Sequence, residues 1–146
     1  MLLVALFAVA GTARAAYPGA AGVVLVVDNK SPIQSLTLNE ARQLYSAERT
    51  RTASGVAVLL TLRPAGSSEK NDCLRLLLGM EEGVFKRQWL AKIYQGEVAS
   101  MPLILTSDES VRRFLAKTPT AIGILRSDAP RDNLRVVLAL TNEKGK

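Results

Sequence analysis

The chain has 146 residues, 48% of them hydrophobic, and 19 lysines and arginines against 13 acids give a net charge of +6. That length suits one domain around one core, and the basic balance suits a small anionic ligand or an anionic surface. The absence of histidine removes the commonest general base and transition-metal ligand; a single cysteine cannot form an intramolecular disulfide, and scattered basic residues with 5% aromatics argue against a nucleic-acid partner.

Met1 to Ala10 carry no charge and are mostly Leu, Val, Ala and Phe, and Ala13-Arg14-Ala15 supplies a small-x-small cleavage pattern. Residues 1–15 therefore read as a secretory signal peptide, the run being too short for a bilayer-spanning helix of about 20 residues. The expected protein is exported, with 16–21 as a loose leader, 22–141 as the folded domain and 142–146 as a polar tail. Gly22 to Val27 (Gly-Val-Val-Leu-Val-Val) is a continuous apolar run, as expected of a strand buried on both faces. Asp28-Asn29-Lys30-Ser31-Pro32 breaks it. Thr37 and Glu40 have capping-box spacing, Leu36 is placed to staple against Ala41, and Leu38, Ala41, Leu44 and Tyr45 continue a helical stripe. Residues 46–55 are polar and read as an exposed loop.

Val56 to Leu62 predicts a second strand, and an amphipathic helix opens at Ser67 and ends near Gly79 with Leu74, Leu77 and Leu78 facing inward. Cys73 lies among those leucines and reads as a buried thiol acting as a small hydrophobe. Glu81 to Tyr94 predicts another helix, with Phe85, Trp89 and Ile93 four apart and Leu90 and Tyr94 alongside, a core stripe rather than a ligand platform. After the apolar piece Met101 to Leu105, Thr106 and Glu109 offer a second capping box, and Val111, Phe114 and Leu115 line a helix that Pro119 stops. Two more strands follow, Ala121 to Leu125 and Leu134 to Leu140. This alternation predicts an α/β fold, a mixed, mostly parallel sheet flanked by helices. Sites in such sheets lie at the carboxyl ends of strands, where the next helix begins.

Arg63-Pro64-Ala65-Gly66-Ser67-Ser68 sits at such a place. Free N–H groups and the positive end of the helix dipole would converge there, and a guanidinium can add a two-pronged hydrogen bond to an oxyanion. The plainer reading is a βα turn in which Ser67 only caps the helix.

The order of motifs resembles the phosphate-binding proteins of bacterial ABC importers, specifically short, single-lobe relatives. Four pieces carry it: Val26 to Pro32 followed by Leu36-Thr37-Leu38; Arg63 through Ser68; Trp89 with Ile93-Tyr94-Gln95-Gly96; and Thr118-Pro119-Thr120-Ala121-Ile122-Gly123-Ile124. The resemblance implies one lobe of the periplasmic-binding-protein type. It implies Arg63 as guanidinium partner of a phosphate-like oxyanion, Gly66 as the turn glycine, and Ser67 and Ser68 as hydroxyl and backbone donors. Glu69 stands where the family often has threonine. A membrane transporter or a sensor protein would be the partner, with no enzyme activity, metal or cofactor. The alternative is a sensory or protein-interaction module that keeps the lobe without its ligand. Ser67-Ser68-Glu69-Lys70 also matches the Ser-x-x-Lys nucleophile motif of penicillin-recognising acyl transferases. Its supporting motifs are in the wrong order here, with Lys117-Thr118 preceding Ser127-Asp128 and Pro119 replacing glycine.

Overall fold

A strand with no polar side chain until its last residue can be satisfied only in the middle of a layered structure, and Gly22–Asp28 (β1) is buried along its whole length. The computed structural model describes residues 22–141, so the readings of 1–15, 16–21 and 142–146 lie outside the described residues. The remaining elements follow in order. They are α1 (Leu38–Tyr45), β2 (Leu59–Leu62), α2 (Ser68–Cys73, continued by a π-helical turn Leu74–Leu78), α3 (Glu82–Tyr94), β3 (Leu103–Ile104), α4 (Asp108–Lys117), β4 (Ala121–Arg126) and β5 (Leu134–Thr141). The five strands make one open sheet in the order β3-β2-β4-β1-β5. β2 is parallel to β3 and to β4, while β1 is antiparallel to both β4 and β5. The fold is thus a mixed α/β sheet in which β1 alone runs against the others.

Alternation along β1 divides the core. Val23, Leu25 and Val27 join Leu44, Tyr45, Leu62, Leu74, Phe85 and Trp89 on one face, and Val24 and Val26 meet Val111, Leu115 and Leu125 beneath α4 on the other. Cys73 is fully buried, as expected of a small hydrophobe. The Trp89 indole donates to the Tyr45 carbonyl at 2.8 Å, and the Tyr45 hydroxyl donates to the Thr61 carbonyl at 3.1 Å, tying α3 to α1 and α1 to β2.

The α1 capping box forms as expected, Thr37 accepting from the Glu40 N–H at 3.0 Å. The second box is shifted by one residue, to Ser107 and Ser110. Leu105 still donates to the Leu62 carbonyl at 2.8 Å, so the chain stays extended past Thr106 and the helix starts later. Strand β2 is shorter than expected. Gly55, at φ 98°, closes a turn that lets Arg51 and Ala57 pair as an antiparallel bridge, with the Thr52 N–H donating to the Val56 carbonyl and the Val58 N–H to the Thr50 carbonyl. That hairpin captures residues 56–58 and buries Thr52 in a segment expected to be exposed. The apolar stripe of α3 stops at Trp89, and Tyr94 is 89% exposed, because the last turn of the helix runs beyond the core.

Gly123 faces α4 so closely that a Cβ there would lie 2.7 Å from Val111 Cγ1 and 3.0 Å from Leu115 Cδ1, both fully buried. Gly123→Ala is expected to destabilise the protein by about 1–3 kcal/mol through overpacking, read from urea unfolding; an unchanged midpoint would disprove the close contact. Burial, aided by the nearby Asp72 charge, pushes the Cys73 thiol up to about 12, and burial raises the Tyr45 hydroxyl well above its ordinary value. Between about pH 9 and 12 the unfolded thiol ionises while the native one stays protonated, so stability should fall as pH rises, by up to about 1.4 kcal/mol per pH unit per group. Cys73→Ala should remove the component that begins near pH 9 and leave the one that begins near pH 10, measured as unfolding free energy against pH.

Candidate functional site

The end of β2 delivers the chain into a tight turn. Pro64 accepts from the Ser67 N–H at 3.0 Å and from the Ser67 hydroxyl at 2.7 Å. Gly66 holds φ 86° at the third position of this four-residue turn, a conformation that favours glycine. Ser67 then caps α2, its Oγ accepting from the Lys70 N–H at 3.1 Å. The N–H groups of Ser68 and Glu69 have no acceptor among the described residues, as the first turn of a helix leaves them.

Arg63 is 4% exposed and deeply engaged. Its Nε donates to the Leu105 carbonyl at 3.1 Å, and Nη1 donates to the Ile124 carbonyl and to Asp108 Oδ1, both at 3.0 Å. Glu69 Oε2 lies 3.9 Å from the same Nη1. One guanidinium thus joins the ends of β2 and β4, the segment following β3 and the start of α4. Its Nη2 has no partner among the described residues.

The structure brings Arg63, Gly66, Ser67 and Ser68 together in one turn, and adds residues that the sequence reading missed. Arg126, the last residue of β4, donates through Nη1 to Asp72 Oδ2 at 2.8 Å and to Ser68 Oγ at 3.3 Å. Its side chain is 26% exposed, so solvent reaches it far better than Arg63. Asp72 also accepts from Arg75 at 2.9 Å. Burial alone would raise the Asp72 carboxyl, but hydrogen bonds and charge from Arg126 and Arg75 outweigh it and hold the group below its ordinary value. Three carboxylates (Glu69, Asp72, Asp108) therefore stand against Arg63, Arg126 and the more exposed Arg75, and the cluster is close to neutral. Spotting Arg126 in the sequence would have required knowing that β4 lies beside β2.

Lys70 does not serve Ser67. Its Nζ is buried, 2.9 Å from Glu82 Oε2 and 5.5 Å from the centre of the Phe85 ring, while the Ser67 hydroxyl is spent on Pro64. The nucleophile–base contact that Ser-x-x-Lys chemistry needs is not made. No group of three or more acidic or cysteine side chains among the described residues could hold a metal ion.

No family model matches the chain, and no curated protein matches it in sequence. Solved structures do share its fold. A phosphate ABC transporter substrate-binding protein from Clostridium perfringens, with phosphate bound, superposes with a TM-score of 0.61 at 16% identity, over 81% of this chain and 44% of that one. An ABC-type phosphate transport receptor from Vibrio cholerae gives 0.60 at 14% identity, over 81% and 46%. PstS from Borrelia burgdorferi gives 0.59 at 12%, over 92% and 56%. The chain has the fold of these substrate-binding proteins and spans about half of their length.

Arg63→Met should cost roughly 2–4 kcal/mol, because two buried carbonyls lose their donor at about 1–3 kcal/mol each, whereas Ser68→Ala should change stability by no more than about 0.5 kcal/mol. Urea unfolding of both variants tests this, and a loss under about 1 kcal/mol for Arg63→Met would show that the guanidinium does not hold the strand ends together.

Proposed function

We propose that this chain is an exported protein of the solute-binding type, with Arg63, Gly66, Ser67 and Ser68 forming the frame of a site for a small oxyanion of the phosphate class, serving an ABC transporter. The observation that carries the reading is the pairing of Arg63 and Arg126 at the carboxyl ends of neighbouring strands, on either side of the start of α2. Nη2 of Arg63, the remaining donors of Arg126 and the free N–H groups of Ser68 and Glu69 could all be directed at one oxyanion. No bond is made or broken in such a function. The fold shared with phosphate-transport receptors supports it.

The carboxylates set the selectivity of this site. The Asp108 carboxylate can only accept hydrogen bonds, so an oxyanion that carries a proton can bond to it, whereas a fully deprotonated one is repelled; Glu69 adds repulsion alone. Phosphate should therefore be preferred to sulfate. The near-neutral charge of the cluster favours a second reading, a sensory or protein-interaction module in which internal ion pairs have replaced the ligand.

Calorimetry of the purified protein with phosphate, sulfate and acetate at fixed ionic strength separates the two. Saturable heat and a raised melting temperature are expected with phosphate, at least tenfold weaker binding with sulfate, and loss of binding in Arg126→Ala; a ligand at 100 times its Kd stabilises by about 2.7 kcal/mol. Glu69→Thr should tighten binding roughly fivefold, since unit charges about 4 Å apart in water interact by about 1 kcal/mol. No heat and no thermal shift with any of the three anions would reject the transport reading in favour of the ligand-free module.

A further inference from the structure

A groove bordered by several charged residues lies on the α4 side of the sheet, away from the Arg63 turn. It has a volume of about 530 Å³ and is walled by the turn after β1, one face of α4 and the approach to β5. Asp28, the last residue of β1, lines it and is 4% exposed. Its Oδ2 accepts from the Lys30 N–H at 2.8 Å; Oδ1 accepts no hydrogen bond, and no cation lies within ion-pair distance among the described residues. An asparagine would make the same turn contact without charge, so the turn alone does not account for a carboxylate here. Ala116, in the last turn of α4, lines the same groove, where the carbonyl end of the helix adds partial negative charge. A buried carboxylate is unfavourable unless a cation joins it.

The cations around the groove are already engaged, with one exception. Arg112 bonds Asp132 at 3.3 Å and the Pro130 carbonyl at 3.3 Å, and Arg113 pairs with Glu109 at 3.3 Å. Arg135 gives its terminal nitrogens to the carbonyls of Asn29, Ser31 and Ile33, fixing the turn that carries Asp28. Lys30 is exposed at the mouth, and its ammonium meets no partner among the described residues. One unpaired carboxylate inside and one unpaired ammonium at the rim complement a ligand that carries both charges. We propose that this groove binds a small amino-acid-like zwitterion, its ammonium on Asp28 and its carboxylate on Lys30.

The inference is independent of the oxyanion site. The full chain is titrated in a calorimeter with each of the common L-amino acids, with ethylamine and with acetate, and thermal shifts are recorded in parallel. At least one amino acid should give saturable heat, ethylamine should bind at least tenfold more weakly and acetate should give none. Asp28→Asn should keep the melting temperature and lose binding at least tenfold, and the exposed Lys30→Ala should weaken it severalfold. The proposal is overturned if no amino acid binds, if Asp28→Asn binds like the parent, or if ethylamine binds as well as the amino acid and Lys30→Ala is silent.

Discussion

A guanidinium withdrawn from water has five N–H donors to satisfy, and that demand organises one whole end of the sheet. Arg63 belongs to no strand, yet its Nε and Nη1 reach the carbonyls of Leu105 and Ile124, just past β3 and near the end of β4. Its bond to Asp108, the first residue of α4, ties the start of that helix to the same point. The turn that delivers Arg63 depends on Gly66 and on the Ser67 cap, so turn, strand ends and helix start stand or fall together. Burying an ion pair is a weak source of net stability. What this one supplies is geometric: it fixes where α2 and α4 begin relative to the sheet.

Much of the fold was legible because its signals are local. The seven-residue β1 could be read as buried on both faces since no polar side chain interrupts it before Asp28, and the Thr37–Glu40 box could be read because its partners are three residues apart. The errors came from a contact made at a distance and from a turn that local propensity does not reveal. The helix α4 starts one residue late because Leu105 is held by Leu62, 43 residues away in the chain. Residues 56–58 left the expected strand because Gly55 turned them back onto Thr50 and Thr52, an outcome that β propensity alone does not encode. Strand order and the reversed direction of β1 are likewise invisible to periodicity, which reports burial and not neighbours.

The candidate site divides in the same way. The Arg63 to Ser68 turn was visible because a strand end, a turn glycine and a helix cap are consecutive in the chain. Arg126 and Asp108 were not, since they reach the turn from β4 and α4, and Asp72, one turn along α2, gains its role only through Arg126. Their arrival changes the chemistry. With Arg63 and Ser67 alone the turn would be a cationic cradle; with Asp72 and Asp108 joining Glu69 it becomes a nearly neutral network in which any anion must compete with groups already in place.

The single antiparallel strand also explains why Asp28 lies at the opposite end of the sheet from Arg63 and Arg126. In register, Val23 of β1 lies across from Arg126, whereas Val26 lies across from Gly123 and Asp28 across from Leu134. The carboxyl end of β1 therefore points away from the carboxyl ends of β2 and β4, and Asp28 is carried to the far side of the sheet from Arg63 and Arg126. Were β1 parallel to its neighbours, Asp28 would fall beside the two guanidiniums and neutralise them further. Reversing one strand keeps a buried carboxylate and a pair of guanidiniums apart on one small lobe, and leaves each facing a different part of the solvent.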